Sequence, residues 1–314
     1  MVTPRSWQGG QSDDHCSDVP EEASRARKAA AKAGAEIRGE VLLTLAQLSL
    51  ATPLQLKELL LPHQQDTDHV RCRALRNLLD ESPALCGRAH RAQQIYWYCT
   101  PAGLAEATSS GELVPTASRT TGKRAASKTD LREHGLALVD TTVAFHHAEA
   151  ADRADWQVEV ARPTPAGSLV PDAVVLLADG SSAFVEIDRT ISYARLLAKL
   201  ERYDAYRNAS PSGSGERRPR SALPLAGDLR RTVAGATLPA AAVRLRPRPA
   251  PRAPATREAA FHDRARRFSN VNYRMTVATT TLSLLTREGA DQPVRRVMGR
   301  GQARRSLAAL PKPR

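Results

Sequence analysis

The sequence predicts an α+β fold in two modules, helices with a small hairpin first and a strand-rich α/β unit after. Three observations carry this. Residues 40–112 hold three helical stretches followed by two strand-like pieces around a polar turn. Residues 171–190, PDAVVLLADGSSAFVEIDRT, hold two strands that are apolar on both faces. A long helical pattern precedes that hairpin and another follows it.

The first module begins after residues 1–35, which open polar and acidic, turn Ala/Lys/Arg-rich and offer no apolar face; they are expected to be a flexible leader. EVLLTLAQLSL then has the apolar density of a buried helix. In ATPLQLKELLLP, Thr52 stands as N-cap, Pro53 at the first helical position and Gln55 three residues after the cap, the pattern of a capping box. The third helix, DTDHVRCRALRNLLDE, sets Val70, Leu75, Leu78 and Leu79 on one stripe and Arg71, Arg73 and Arg76 mainly around the other side. Strand pieces at Leu85–Cys86 and Ile95–Cys99 flank a turn with Arg88, His90 and Arg91, and Thr100-Pro101 caps a further helix.

Helix, helix, basic helix and basic-tipped hairpin is the order of a winged helix-turn-helix, here over residues 36–112. In that geometry the third helix enters the major groove and the hairpin tip touches the backbone or the adjacent minor groove. Arg71, Arg73, Arg76, Arg88 and Arg91 are therefore the expected DNA contacts, and double-stranded DNA the expected partner. Such a module also serves to dock proteins, its arginines merely solvated, and that reading stays open.

The second module is expected over residues 128–207 plus about 258–298. A Ser/Thr/Gly/Lys/Arg linker, SRTTGKRAASKTD, leads to a helix from Asp130 to Ala148, a strand in WQVEVA, the hairpin, and a helix in ISYARLLAKLERYDAYR. There Leu196, Leu197, Leu200 and Tyr203 pack inward and Ser192 caps. Residues 208–257 are rich in Pro, Ser, Gly and Arg and are expected to be a disordered linker or insertion. REAAFHDRARRF resumes helix, YRMTVATTTLSLLTREG offers a β-branched run that would add a strand, and residues 299–314 look like a basic tail.

The hairpin carries the chemistry. Its strands, Val174–Leu177 and Val185 with Ile187, are apolar on both faces, as in central strands covered on two sides, and Asp179-Gly180 supplies turn residues. Side chains alternate along a strand, so Glu186 and Asp188 project to one side, next to Asp172 at the start of the neighbouring strand. A Pro-Asp followed by Glu-x-Asp is almost the PD…(D/E)xK pattern of metal-dependent nucleases, with Asp188 standing where the lysine belongs. Asp172 and Glu186 are the candidate Mg²⁺ ligands, since that ion takes one or two carboxylates and keeps waters for a phosphate substrate. Lys199, on the helix after the second hairpin strand, is the candidate substitute for the missing cation, and Asp188 a supporting carboxylate. A catalytic site, a nuclease-like fold without catalysis and an unrelated α/β domain are the three readings open. Mg²⁺ is expected only under the first, and no cofactor under the others.

Charge points the same way as the arginines. Of the net +13, residues 216–314 hold 22 Lys/Arg against 6 Asp/Glu, while residues 1–215 carry a slight acidic excess. Arginine pairs well with phosphate, so a polyanion is the natural partner of that third, although a solvated basic tail has the same composition. Cys16, Cys72, Cys86 and Cys99 form no CxxC pair, and adjacent His146 and His147 diverge by about 100° on a helix, so no zinc site is expected. No apolar run of about 18 residues and no apolar leader segment is present, and a cytoplasmic protein without membrane contact is expected.

HGLALVD on a long helix, VPDAVVLL with FVEIDRT, and LLAKLERYDAY, following a winged helix, together resemble the replication-relaxation family encoded on plasmids and integrative elements of high-GC bacteria. The likeness runs from roughly residue 40 to 207, with a weaker echo at VATTTLSLLTREGADQPVRRV. It implies a DNA-associated role in plasmid or mobile-element replication, relaxation or transfer, with replication or transfer proteins as further partners. It also implies a restriction-endonuclease-like (PD-(D/E)xK-type) α/β domain whose polar signature falls on Pro171, Asp172, Glu186, Asp188, Arg189 and Lys199. Where the family has an apolar strand soon after the Lys/Tyr helix, this chain has the Pro/Arg-rich residues 208–257.

Overall fold

The computed structural model describes residues 21–91, 93–111, 113, 122–164, 167–188, 193–208, 241–245, 254–266 and 275–311. Helix α1 spans Glu21–Leu48 and so takes in the later part of the expected leader. The stretch before Val41 is dense in Ala, Glu, Lys and Arg, which are strong helix formers, and it propagates from a segment pinned by buried Val41, Leu45 and Leu48. Helix α2, Pro53–Leu60, has the expected capping box: the Gln55 N–H donates to Thr52 Oγ1 (3.2 Å) and the Thr52 N–H to Gln55 Oε1 (2.9 Å). The third helix is wound with π-type bonds over His69–Leu75 and continues as α3, Arg76–Asp80.

Strands β1 (Leu50–Ala51), β2 (Cys86–Arg91) and β3 (Gln94–Cys99) form an antiparallel sheet of order β1-β3-β2. Helix α4, Pro101–Ser109, is capped by Thr100, whose Oγ1 accepts from the Gly103 N–H at 3.1 Å. Part of the expected linker is helix α5, Gly122–Ser127, which seats buried Ala125 and Ala126. Glycine is required at its start, because a Cβ on Gly122 would stand 2.5 Å from the Ser49 carbonyl oxygen.

Helix α6, Thr129–His147, leads into a seven-stranded mixed sheet of order β12-β11-β10-β9-β8-β7-β4. Its strands are β4 (Trp156–Val158), β7 (Ala173–Leu176), β8 (Ser182–Asp188), β9 (Ala241–Leu245), β10 (Val277–Thr281), β11 (Arg295–Val297) and β12 (Arg304–Arg305). β5 (Arg162–Thr164) and β6 (Gly167–Leu169) form a separate hairpin. β4, β7 and β8 run antiparallel in turn, β8, β9 and β10 parallel, and β10, β11 and β12 antiparallel. Helices α7 (Tyr193–Asn208), α8 (Pro254–Ala265) and α9 (Leu282–Glu288) complete the order.

Two expectations are corrected in the sheet. The stretch 208–257 is not all linker, for its residues 241–245 are the strand at the sheet's centre. AAVRL is a short, mainly apolar run inside a stretch whose composition is dominated by Pro, Ser, Gly and Arg. The basic tail from 299 likewise contributes edge strand β12, with Arg304 bonded to buried Glu258.

The sheet is covered on both faces, as the two-sided apolar strands required. Ala183, Val185 and Ile187 of β8 join a large core with α1, α2, α6 and α9, while Phe184 joins Leu196, Leu200, Tyr203 and Phe261 beneath α7 and α8. The larger core is continuous with that of the three-stranded module, so the two share apolar packing. Among the described residues no helix is long and apolar enough to cross a membrane.

Candidate functional site

The hairpin register brings the first two carboxylates together. β7 and β8 pair Ala173 with Val185, and one step further sets Asp172 opposite Glu186. Asp172 Oδ2 accepts the Ile187 backbone N–H at 2.6 Å, which holds that carboxylate across the strand pair. The turn that sets the register uses Gly180 at φ 78°, with the Asp179 carboxylate accepting from the Ser181 N–H at 2.9 Å.

Helix α7 then closes over Glu186. Lys199 and Tyr203 are four residues apart and share one helix face. Lys199 Nζ bonds Glu186 Oε2 and lies 3.7 Å from Asp172 Oδ1, while the Tyr203 hydroxyl donates to Glu186 Oε1. Lys199, the cation expected to replace the one missing from the strand, thus reaches both carboxylates from the helix. On the opposite side of Asp172, His134 of α6 places Nε2 3.5 Å from Oδ1.

Burial and mutual charge set the protonation of this group. Glu186 is only 4% exposed; burial and the Asp172 charge push its pKa up to about 8, against the pull of Lys199 and Tyr203. Burial would raise Asp172 too, yet the His134 contact, Lys199 and the Ile187 N–H outweigh it and its pKa is lowered. Burial would lower His134, but the Asp172 bond and charge, with the charge of Glu159, together outweigh it and the pKa is raised. Tyr203 is raised by burial and by Glu186 and remains a donor. The two neighbouring carboxylates are therefore driven apart, Asp172 toward the charged form and Glu186 toward the protonated one.

Asp188 shares the sheet face of Glu186 but meets a different cation, with Oδ2 3.7 Å from Arg257 Nη2 on α8, both residues buried. The two β8 carboxylates lie inside the protein rather than at a wet strand end. Beyond Arg257, Glu258 Oε1 accepts from Thr279 Oγ1 (2.7 Å) and Oε2 from Arg304 Nη2 (2.5 Å). His262 Nε2 lies 2.7 Å from Thr279 Oγ1, and burial with Arg296 nearby lowers its pKa to about 4. The ring is neutral at ordinary pH, and since Thr279 gives its proton to Glu258, His262 Nε2 is the donor.

The arginines expected to contact DNA are displayed differently. Arg73, Arg76, Arg88 and Arg91 are exposed, while Val70, Leu75 and Leu78 on the opposing stripe are buried. The side chain of Arg71 and all of Arg189 lie outside the described residues, as do Ser192 and Cys16. Cys86 and Cys99 face each other in the β2–β3 register as buried free thiols, and Cys72 is an exposed one. Among the described residues no three of His, Cys, Asp and Glu converge as a metal-ligand set.

Sequence reasoning missed His134, the hydroxyl role of Tyr203, and Arg257. The signal for His134 was a histidine heading the apolar stretch GLALV. Tyr203 showed as an inward-facing residue one turn beyond Lys199, and nothing marked Arg257 as a partner of Asp188.

A family model described as replication-relaxation matches residues 42–215, more than half of the chain. That span includes the three-stranded module, the carboxylate hairpin and α7. No curated protein and no solved structure matches the chain.

Proposed function

As the chain belongs to the replication-relaxation family, we propose that it is a DNA-binding protein acting in replication or relaxation of a plasmid or other mobile element. Residues 36–112 act as a winged helix, with the third helix in the major groove of duplex DNA and the β2–β3 tip on the backbone. The observation that carries this reading is the display of Arg73, Arg76, Arg88 and Arg91. All four are exposed, and none makes an ion pair among the described residues. Guanidiniums held out from a helix face and a hairpin tip match the spaced phosphates of a duplex. Fluorescence anisotropy on a labelled duplex tests it: the chain binds, and the Arg73→Ala/Arg76→Ala/Arg88→Ala/Arg91→Ala protein does not. Equal binding by both, or none by either while a protein partner co-purifies, rejects it in favour of protein docking.

A second reading, a Mg²⁺-dependent endonuclease or nickase in a restriction-endonuclease-like domain, is favoured by Lys199 reaching both Asp172 and Glu186. Two carboxylates that converge on one ammonium have the oxygen donors a hard divalent cation takes, so Asp172 and Glu186 would hold Mg²⁺. Bound there, the ion would polarise a phosphate and acidify a water. With Glu186 engaged there, Lys199 would be free to meet the phosphate, and His134 would keep Asp172 ionised. Supercoiled plasmid incubated with Mg²⁺ or Mn²⁺ decides: nicking by the wild type and not by Asp172→Ala supports the reading, and intact plasmid with both metals removes it.

A further inference from the structure

The third helix and the β2–β3 hairpin leave a cleft of about 270 Å³ between them, separate from the Glu186 site. Arg76, Leu79 and Asp80 line it from the helix, and Arg88, Ile95 and Trp97 from the hairpin. Arg88 and Trp97 are register partners across β2 and β3, so both stand on the face that looks at the helix. Two features of this lining lack a counterpart among the described residues. Among the described residues, Arg76 and Arg88 are exposed guanidiniums that make no ion pair, and Trp97, only 5% exposed, has an indole N–H with no acceptor.

We propose that this cleft binds one nucleotide. Arg76 and Arg88 clamp its phosphate, its base lies between Ile95 and Leu79 against the edge of Trp97 that reaches the cleft, and Asp80 accepts a hydrogen bond from a sugar hydroxyl or a base amino group. Two unpartnered guanidiniums select phosphate over other small groups, since the fork geometry gives paired, charge-assisted bonds. A bare phosphate would leave the apolar wall in water and would feel the Asp80 charge without offering it a donor. A base satisfies both, with a flat apolar face for Ile95 and Leu79 and an amino group for Asp80. A free nucleoside monophosphate and one unstacked nucleotide of a DNA strand carry the same chemistry. A base stacked within a duplex cannot enter, which takes this inference beyond groove binding by the same module.

The test is the indole fluorescence of the full chain titrated with deoxyadenosine monophosphate, a short single-stranded oligonucleotide and inorganic phosphate. The expected result is a saturable change with the monophosphate or the single strand, absent in Trp97→Phe. It weakens about tenfold or more in Arg76→Ala and Arg88→Ala, and inorganic phosphate binds at least about tenfold more weakly than the nucleotide. A response to the free monophosphate assigns a soluble nucleotide, and a response to the strand alone assigns DNA. Neither ligand binding, phosphate binding as tightly as nucleotide, or unchanged binding by the arginine variants overturns the proposal. Arg88→Lys, which keeps the charge and loses the fork, serves where an alanine variant fails to fold, and it too must weaken binding. Arg73→Ala/Arg91→Ala, outside the cleft, retains the nucleotide response even where duplex binding is lost, which separates failure of this proposal from failure of the groove reading.

Discussion

The module of the first three helices and the Glu186 site both place Arg, Lys, Asp and Glu close together, and the fold treats their charges in opposite ways. Around the third helix and hairpin, Arg73, Arg76, Arg88 and Arg91 are left in solvent, free of ion pairs among the described residues. Around Glu186, every named charge meets an opposite partner: Lys199 meets Glu186 and Asp172, His134 meets Asp172, and Arg257 meets Asp188. The difference follows from burial. A solvated arginine needs no partner and stays available to a polyanion, whereas a carboxylate inside the sheet is tolerated only with a cation or a proton supplied. The first region leaves its arginines available, as the proposed DNA contact requires, while the second is closed on itself by Lys199, His134 and Arg257.

The largest effect expected from breaking this contrast is at Lys199. Lys199→Met leaves Glu186 and Asp172 facing each other without their shared cation. Loss of about 2–3 kcal/mol is expected in urea denaturation, below the full range for a buried pair because Lys199 is partly exposed and Glu186 can take up a proton. Adding Glu186→Gln to that variant recovers part of the loss. A single variant as stable as the wild type means the cluster is not closed by Lys199.

Arg304→Ala is the next in size. It removes the cation from buried Glu258 and is expected to cost about 2 kcal/mol, with Glu258→Gln/Arg304→Ala less destabilised than Arg304→Ala alone. No coupling between the two positions would show that the C-terminal edge strand is not docked on Glu258.

The pH dependence sharpens the contrast from a different side. Glu186 has a folded pKa of about 8 against 4.5 when unfolded. Between those values the native state holds a proton the unfolded chain has lost, so stability falls as pH rises, by up to about 1.4 kcal/mol per pH unit. His134 has the same sign: its raised pKa gives stability that is full below pH 6.5 and lost as pH rises through the folded value. Asp172, with a lowered pKa, works oppositely, but only below 3.8, outside that window. Thermal unfolding of Glu186→Gln between pH 5 and 8 should be flatter than wild type, and an equal slope would show that Glu186 is ionised throughout. The smallest effect is at the cap, where Thr52→Ala should cost about 1 kcal/mol and shift the unfolding midpoint without touching DNA binding.

Much of this contrast was legible in the sequence. The capping box at Thr52, the hairpin with its two-sided strands, and the side of the third helix that carries Arg73 and Arg76 all follow from local rules of period and cap. Lys199 was legible as a candidate because the helix directly after the hairpin packs beside the acidic strand ends. What stayed hidden depends on distant chain segments. Strand β9 is five residues among prolines and is selected by the open edges of β8 and β10, not by its own composition. His134 and Arg257 meet their carboxylates only once α6 and α8 pack on opposite faces of the sheet, which no local pattern encodes. The second part of the leader became helix because α1 is nucleated further along, at Val41–Leu48.

The measurement that tests the central claim most directly is the salt dependence of duplex binding in wild type, in Arg73→Ala/Arg88→Ala and in Asp172→Asn/Glu186→Gln. The account predicts a steep log-log slope for wild type, shallower by about 0.9 for each arginine removed and unchanged in the carboxylate variant. A shallow wild-type slope, or one that shifts with the carboxylates and not with the arginines, would contradict it.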